Sequence, residues 1–270
     1  SEIGRESYEC IPISLGINSN HTFKKSIYTV PSYAVLLKIP KMGYDEFIVK
    51  EEQGLSLDRF KEMDYYAVEH YNLPIELMME NAGLHLAHLV ALSGIASNAT
   101  ILVGVGNGNN GGGGLVAARR LAAWGFTVHL DIMTPLAKTL PKKQLDRAVA
   151  FGAKTEPLEN PEVWIDAYLG FSQRLPLPPD LLSTLEKANA RDCHRISLDI
   201  PTGFLGSVDV PYFHAHQVLS LAAPKTILFN LPPSVAVYVA DLGIPKEVYS
   251  KFGVDIPPFA RNTLLRLLSK

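Results

Sequence analysis

TILVGVGNGNNGGGGLVAARRLAAWG, residues 100 to 125, combines a short apolar run, a loop of glycine and asparagine, and an apolar helical pattern. Residues 101–103 predict a buried strand, and Val116 and Leu121 belong to an apolar set that recurs at helical spacing. Between them, residues 104–114 predict a loop, because a run rich in glycine cannot pack a core. The stretch therefore predicts a strand, a loop and a helix, with the loop at the N-terminus of the helix.

A loop in this position can bind an anion. Backbone N–H groups are unpaired at a helix start, and together with the positive end of the helix dipole they favour a phosphate or another anion. The side-chain amides of Asn107, Asn109 and Asn110 can donate to a ligand or offer a carbonyl oxygen to a cation. A solvated glycine-rich connector is the alternative interpretation at this point.

Two nucleotide-binding motifs can be compared with this loop. A Walker loop needs Gly-Lys-Ser/Thr where residues 113–115 read Gly-Gly-Leu, so that motif is excluded. Gly106, Gly108 and Gly111 do have the G-x-G-x-x-G spacing of a dinucleotide-binding fold. Asp131 follows about twenty residues later, where such folds place a ribose-binding acid. A dinucleotide-binding loop therefore stays open as an alternative.

The composition limits the class of protein. The chain has 270 residues, of which 47% are hydrophobic, enough for one large α/β domain with a substantial core. A net charge of -2 argues against nucleic-acid binding driven by general electrostatics. Cys10 and Cys193 are too few for a disulfide framework, which favours an intracellular, cytoplasmic protein. No apolar run reaches membrane-spanning length, so we expect no membrane partner. Residues 1–50 are interpreted as an N-terminal extension or arm, and residues 51–270 as the domain.

Helices and strands alternate along the domain. The apolar patterns predict helices over 57–71, from 74 past Leu89, over 141–151, 179–190 and 246–252, and strands over 127–132, 163–168, 195–200, 217–222, 226–229 and 235–239. Strands separated by helices are typical of a mostly parallel sheet with helices on both faces. The fold class predicted is α/β, a three-layer αβα Rossmann-like fold with a mostly parallel central sheet.

Polar side chains follow three of the predicted strands. They are Asn109 and Asn110 in the glycine loop, Asp166 at the start of the segment 166–176, and Asp199. Ligands of open α/β sheets bind outside the carboxyl ends of the strands, so we expect these three segments to converge. A carboxylate that ends a buried strand is costly unless it is paired, hydrogen-bonded or bound to a cation, although each aspartate could also serve only as a helix cap.

The longer string GNNGGGGLVAARRL, residues 108–121, closely resembles the GNNGGDG-(F/L)-VAAR-(H/R)-L signature of the YjeF N-terminal family, which comprises the NAD(P)H-hydrate epimerases and some non-catalytic relatives. LMMENAG at 77–83, WIDAYLG at 164–170 and SLDIPTG at 197–203 are similar to further family motifs. APK at 223–225 and ADLGIP at 240–245 also fall in family order. This ordered agreement covers about residues 57–252 and is far more specific than the glycine spacing alone.

The resemblance implies a function and a site. Enzymes of the family interconvert the R and S forms of NADHX and NADPHX, in which carbon six of the nicotinamide ring is hydrated, and the resemblance implies a homodimer. It implies that Asp199 is the catalytic acid and base. It places a potassium ion on Asn110, Asp166 and Thr202, whose oxygen ligands suit a hard cation. Substrate contacts are implied at Asn109, Asn110, Gly111, Gly112, Gly113, Gly170, Phe171, Ser172, Gln173, Arg174, Leu175, Pro176 and Asp199.

This sequence departs from the family pattern at several positions. Gly113 stands where the family has an acidic residue, and Arg174-Leu175 replaces a basic residue followed by glycine. The first alternative is therefore a weak or inactive scaffold or metabolite-binding protein, including a dimerisation module like that of the mRNA-decapping relatives. A Rossmann dehydrogenase that uses Asp131 for ribose is a third class, but it would leave the other motifs as coincidences.

Overall fold

The computed structural model describes residues 44–269. Residues 1–43, which make up most of the predicted arm, and residue 270 lie outside the described residues, so the interpretation of the arm and its boundary stay predictions. No helix within residues 44–269 is long and apolar enough to cross a membrane.

The described residues contain eight strands, six α-helices and two short 3₁₀ helices. The strands are β1 Glu46–Val49, β2 Thr100–Val105, β3 Thr127–Ile132, β4 Val163–Ala167, β5 His194–Leu198, β6 Gln217–Leu221, β7 Ala236–Ala240 and β8 Leu264–Ser269. The α-helices are α1 Leu57–Tyr71, α2 Ile75–Ala91, α3 Asn109–Ala123, α4 Thr139–Ala150, α5 Pro179–Ala190 and α6 Lys246–Phe252. The 3₁₀ helices are Glu51–Gln53 and Thr226–Asn230.

The strands form one sheet in the order β1-β8-β7-β6-β5-β4-β2-β3. Every neighbouring pair is parallel except β7 and β8, which are antiparallel. The strand order reverses between β2 and β4, because β3 lies on the outer side of β2. Such a reversal leaves a crevice at the carboxyl ends of the strands, where ligands of doubly wound sheets bind.

Helices cover both faces of the sheet, as predicted. On one face, Leu86 of α2 and Leu121 of α3 pack with Ile101 and Ile165 of the sheet. Opposite this layer, apolar side chains of α5 pack on Trp164 and Leu102. Leu102 packs in this second cluster, whereas its neighbours Ile101 and Val103 on β2 pack in the first. This alternation is the period-two pattern of a strand that is buried on both faces. The fold is a three-layer αβα arrangement around a mostly parallel sheet.

The glycine-rich loop is shorter than predicted. Helix α3 already begins at Asn109, and Gly111 to Gly114 are helical and buried, so the prediction that residues 104–114 form an unpacked loop is wrong. Packing explains the difference, since a Cβ added at Gly114 would lie 2.5 Å from Cβ of Ala167. The glycines let α3 lie directly on the ends of the strands.

Three other local features differ from what the sequence predicts. Residues 226–229 are not a strand but part of the 3₁₀ helix Thr226–Asn230, and β8 was not predicted. The apolar pattern of α2 predicts that Leu77 faces inward, whereas its side chain is 53% exposed. Strand β1 pairs with β8 at the edge of the sheet and lies at the end of the segment 1–50, whose interpretation as an arm stays a prediction.

Candidate active site

A cavity of about 300 Å³ opens at the carboxyl ends of the central strands. Its walls come from α1, α2, the start of α3, the segment after β4 and the end of β5. A volume of this size is at the lower end of the range for small-molecule sites. The three segments that the sequence analysis expected to converge do meet here.

The N-terminus of α3 forms one wall of the cavity. Gly108 precedes the helix without a side-chain hydrogen bond to cap it, and the first turn carries no acidic residue. Asn109, Asn110 and Gly113 all line the cavity. The N–H groups and the dipole of this turn are therefore available to an anionic group of a ligand. Asn107, in contrast, is used structurally, since its Oδ1 accepts hydrogen bonds from the backbone N–H groups of Ala137 and Lys138.

Asp199 follows β5 and faces the cavity. It is almost fully buried, and its backbone has a φ of 70°, which is unusual for a residue other than glycine. Residues in this region are strained by about 1–3 kcal/mol and often lie at functional sites. The backbone N–H of Phe171 donates to its Oδ2 at 2.9 Å, which ties the segment after β4 to this carboxylate.

Lys225 lies beneath Asp199 and was not identified as functional from the sequence. Its Nζ is 2.8 Å from Oδ1 of Asp199, and both side chains are buried. The angle is poor for a hydrogen bond, so the contact is an ion pair rather than an aligned bond. Burial lowers the pKa of Lys225, and the charge of Asp199 acts in the opposite direction. The ammonium group also donates to the carbonyl of Leu221 at 2.9 Å, and its position gives Asp199 a cationic partner.

Asp166, at the end of β4, is fully buried below the cavity and does not line it. Its carboxylate accepts four hydrogen bonds, from the hydroxyl and N–H of Thr202, the hydroxyl of Ser197 and the N–H of Tyr168. Burial still raises its pKa to about 6. No Lys or Arg among residues 44–269 forms an ion pair with it. A bound cation would offset the cost of this buried charge.

Asn110 offers the best indication of a cation site. Its Nδ2 donates to the carbonyl oxygens of Leu169 and Leu198, at 2.8 and 3.2 Å, which fixes the orientation of the amide. The amide oxygen Oδ1 is then buried without any hydrogen-bond partner among the described residues. Such a buried acceptor is rare unless water, an ion or a ligand completes it. The side-chain oxygen atoms of Asn110, Thr202 and Asp166 are the type of ligand that a hard cation prefers, and the predicted potassium ion at these residues stays a prediction.

The structure also brings Asp64 of α1 to the cavity, whereas the sequence pattern of that helix indicates only its apolar face. Burial raises the pKa of Asp64 to about 6, the charge of Asp199 adds to the increase, and Lys225 opposes it. A single sequence gave no signal for this residue, because its role depends on which strand ends α1 covers.

The predicted substrate residues lie in two groups. Those that line the cavity are Asn109, Asn110, Gly113, Gly170, Phe171, Ser172, Gln173 and Asp199. Those outside its lining are Gly111, Gly112, Arg174, Leu175 and Pro176. Their contacts with a substrate stay predictions. Gln173 is also committed to structure, since its Nε2 donates to the carbonyl oxygen of Phe204 and its Oε1 accepts from the N–H of Gly203.

Asp131, the candidate ribose acid, lies in a different place. It lines a separate cavity of about 550 Å³ beside β3 and α5, and none of the residues of the glycine loop line that cavity. Its carboxylate accepts a hydrogen bond of 2.6 Å from the hydroxyl of Tyr168. The geometry therefore does not support a dinucleotide site in which Asp131 binds ribose beside the glycine loop.

The arrangement can hold an anionic ligand and transfer protons. A helix N-terminus faces one side of the cavity, and the carboxyls of Asp199 and Asp64 face it from the sheet and from α1. Carboxyls in such surroundings can donate and accept protons in general acid–base catalysis.

Comparisons with known proteins identify relatives along most of the chain. The family described as YjeF-related protein N-terminus matches residues 75–227, more than half of the sequence. The chain is similar to an NAD(P)H-hydrate epimerase of Rhodopirellula baltica, with 30% identity over 74% of this chain and 88% of the relative. It is also similar to an NAD(P)H-hydrate epimerase of Dehalogenimonas lykanthroporepellens, with 34% identity over 77% of this chain and 89% of the relative.

A solved structure agrees with the fold. The crystal structure of the yeast protein YNL200c aligns with a TM-score of 0.72 and 23% identity, over 79% of this chain and 99% of the yeast chain. At that identity the likeness supports the architecture alone. The family match and the two relatives above show that the chain belongs to the YjeF N-terminal family.

Proposed function

We propose that this protein interconverts the R and S forms of hydrated NADH and NADPH, that is, NADHX and NADPHX. The observation that carries the proposal is the position of Asp199, a buried carboxylate at a strand end that faces a cavity beside an uncapped, glycine-rich helix N-terminus. The relatives with 30% and 34% identity are named NAD(P)H-hydrate epimerases, and each aligns over most of its length.

The chemistry needs one proton transfer in each direction. In the hydrate, carbon six carries a hydroxyl beside the ring nitrogen. Protonation of that hydroxyl lets it leave as water, while the nitrogen lone pair forms an iminium. Water then adds to the opposite face and gives up a proton, which yields the other epimer. Asp199 is the group proposed to donate the first proton and accept the second.

Other residues bind and orient the substrate. The N–H groups at the start of α3 are suited to a phosphate of the dinucleotide. Phe171 and Ser172 form part of the cavity wall, and the backbone N–H of Phe171 donates a hydrogen bond to Asp199. Apolar side chains such as Met78 and Leu242 line the rest of the cavity and exclude water from its walls.

We further propose a potassium site formed by Asn110, Asp166 and Thr202. Support comes from the unpartnered Oδ1 of Asn110 and from the buried charge of Asp166. Thr202 is held between the two segments, because its hydroxyl donates to Asp166 and accepts from the N–H of Leu169. When bound, the ion would supply positive charge that orders these strand ends. A homodimer and a cytoplasmic location remain predictions, the first measurable by light scattering.

One observation favours a second candidate, a non-catalytic protein that binds the same ligand. Gly113 lines the cavity at the position where the family signature has an acidic residue, so this wall lacks one polar contact. A protein that binds NADHX without epimerising it would match this candidate.

The deciding experiment follows pure R-NADHX by chromatography with and without the protein. We expect the S form to appear faster than in the slow spontaneous reaction, and Asp199→Asn to reduce the acceleration by about 10²- to 10⁴-fold. Asp192→Asn, a change at an exposed aspartate, is the matched control and should leave the rate unchanged. Absence of acceleration at every concentration of wild-type protein would favour the binding protein.

A further inference from the structure

Asp64 is the second carboxylate that faces the cavity. It lies on α1 one turn after Phe60, is partly buried, and lines the same cavity as Asp199. Within residues 44–269 its carboxylate forms no hydrogen bond and no ion pair. An aspartate in a candidate active site whose carboxylate forms no hydrogen bond or ion pair within the described residues is available to a ligand.

A chain of contacts connects α1 to Asp199. Nζ of Lys225 lies 3.7 Å from the centre of the Phe60 ring and 2.8 Å from Oδ1 of Asp199. The rings of Phe60 and Phe171 meet edge to face at 5.1 Å, and Phe171 donates to Asp199 through its backbone. The two carboxyls thus belong to one packed unit but approach the cavity from different elements, one from a helix and one from a strand end.

The proposed reaction has two faces that need proton transfer. The hydroxyl leaves from one face of the nicotinamide ring, and water returns on the other. A single carboxyl could serve both faces only if the ring turned over within the cavity. Two carboxyls on different walls remove that requirement, and a group whose pKa burial raises to about 6, as for Asp64, can act as acid or base near neutral pH.

We propose that Asp64 is a second catalytic acid and base, which takes over one of the two proton transfers assigned above to Asp199 alone. Asp64 then serves one face of the ring while Asp199 serves the other. This inference rests on the proposed epimerase function. In one direction, the protonated carboxyl gives its proton to the leaving hydroxyl. The C–O bond breaks, its electron pair leaves with water, and the nitrogen lone pair forms the C=N bond.

Water then attacks carbon six from the opposite face. A new C–O bond forms, the electron pair of the C=N bond returns to nitrogen, and the other carboxylate accepts the excess proton. One carboxyl ends ionised and the other protonated, so the reverse reaction starts from that state without any further reagent. Repeated turnover of one epimer needs only proton exchange between the carboxyls through water in the cavity.

Isotope exchange in ¹⁸O-labelled water tests this assignment. Each epimer is incubated separately with wild type, Asp64→Asn and Asp199→Asn. The two epimers are then separated, and mass spectrometry measures the ¹⁸O incorporated into each. We expect Asp64→Asn to lower epimerisation by about 10²- to 10⁴-fold. It should still exchange the hydroxyl of one epimer with retention of configuration, because Asp199 still serves that face. Asp199→Asn should exchange the other epimer.

Controls separate this role from folding. Asp58→Asn, on the exposed side of the same helix, should leave both rates unchanged. Asp64→Asn should change the melting temperature little, because within the described residues the wild-type carboxylate forms no hydrogen bond or close ion pair that the variant would lose. Epimerisation by Asp64→Asn at the wild-type rate overturns this inference alone. Loss of exchange in both epimers in that variant also overturns it, since Asp64 would then act only through Asp199. A wild-type protein that neither epimerises nor exchanges overturns the proposed function as well.

Discussion

Replacement of Lys225 by methionine tests how the charge of Asp199 is held. Methionine keeps an unbranched apolar chain but removes the ammonium group. The wild-type Nζ lies 2.8 Å from Oδ1 of Asp199 and donates to the carbonyl of Leu221 at 2.9 Å and to Oγ of Ser220 at 3.2 Å. In Lys225→Met, Asp199 must keep an unpaired buried charge or take up a proton.

The free energy needed to protonate Asp199 sets an upper limit on the stability that Lys225→Met loses through electrostatics. An ordinary aspartate has a pKa of about 3.9, and each pH unit above it costs about 1.36 kcal/mol, so protonation costs about 4 kcal/mol at pH 7 and about 1.5 kcal/mol at pH 5. The first figure agrees with the loss of about 3–5 kcal/mol that is typical when one partner of a buried pair is removed. The lost bonds to Leu221 and Ser220 add about 1–3 kcal/mol at both pH values.

The direction of the pH dependence follows from the proton that Asp199 takes up in the folded variant. The folded variant would hold a proton that the unfolded chain releases, so the difference in unfolding free energy between wild type and Lys225→Met should grow from pH 5 to pH 7, by up to about 2.7 kcal/mol. Urea unfolding at the two pH values measures it. Adding Asp199→Asn to Lys225→Met should recover stability at pH 7, since no charge is then unpaired. A difference that is equal at the two pH values would mean either that Asp199 stays ionised in the variant or that Lys225 is uncharged in the wild type, and would refute the reasoning.

Two further predictions concern the cavity. Potassium should raise the melting temperature more than sodium or tetramethylammonium does, because at 100 times its dissociation constant a bound ion adds about 2.7 kcal/mol to the free energy of unfolding. Asn110→Ala should abolish the difference between the salts. Identical wild-type melting curves in the three salts would exclude the site. Gly113→Asp should raise kcat/KM by up to about a hundredfold, through charge-assisted hydrogen bonds of about 1.5–3 kcal/mol to the substrate. Gly113 does not have a positive φ, and its added Cβ would meet only Cδ2 of Leu198 at 3.0 Å and Cβ of Ala82 at 3.6 Å, so the variant should fold. Gly113→Asn is the isosteric control, and a folded Gly113→Asp protein with unchanged or lower kcat/KM would contradict the prediction.

The layers of the fold could be predicted from the sequence because apolar residues recur at a clear helical or strand spacing within each short segment. Helices α1, Leu57–Tyr71, and α5, Pro179–Ala190, have the predicted bounds, and the alternation of helices and strands determined the sheet type. The run 226–229 was misread as a strand because a short apolar run does not distinguish a strand from a helical turn. In the structure Leu228 donates to the carbonyl of Lys225, which closes a 3₁₀ turn instead.

The site was only partly predictable for a different reason. Asp199 and Asn110 could be found because each follows a predicted strand, and parallel strands share a carboxyl end. Lys225 and Asp64 reach the same place from a turn and from a helix whose positions depend on tertiary packing. No local pattern shows that the Lys225 ammonium group points below Asp199 or that Asp64 faces the cavity. Tertiary packing therefore determines that the charged side chains of Lys225 and Asp64 belong to the site.

The close packing of α3 limits how the cavity can adapt to a ligand. A Cβ added at Gly111 would lie 2.0 Å from the carbonyl oxygen of Gly106, and one at Gly114 would meet Ala167, so this wall has no space in which to shift. Densely packed interfaces of this kind do not deform gradually. Any induced fit must therefore come from other parts of the cavity wall, such as Tyr65 of α1 and Phe171 and Ser172 after β4, whose side chains are partly buried or exposed. The start of α3 is therefore the rigid part of the cavity wall, and the other parts move relative to it when a ligand binds.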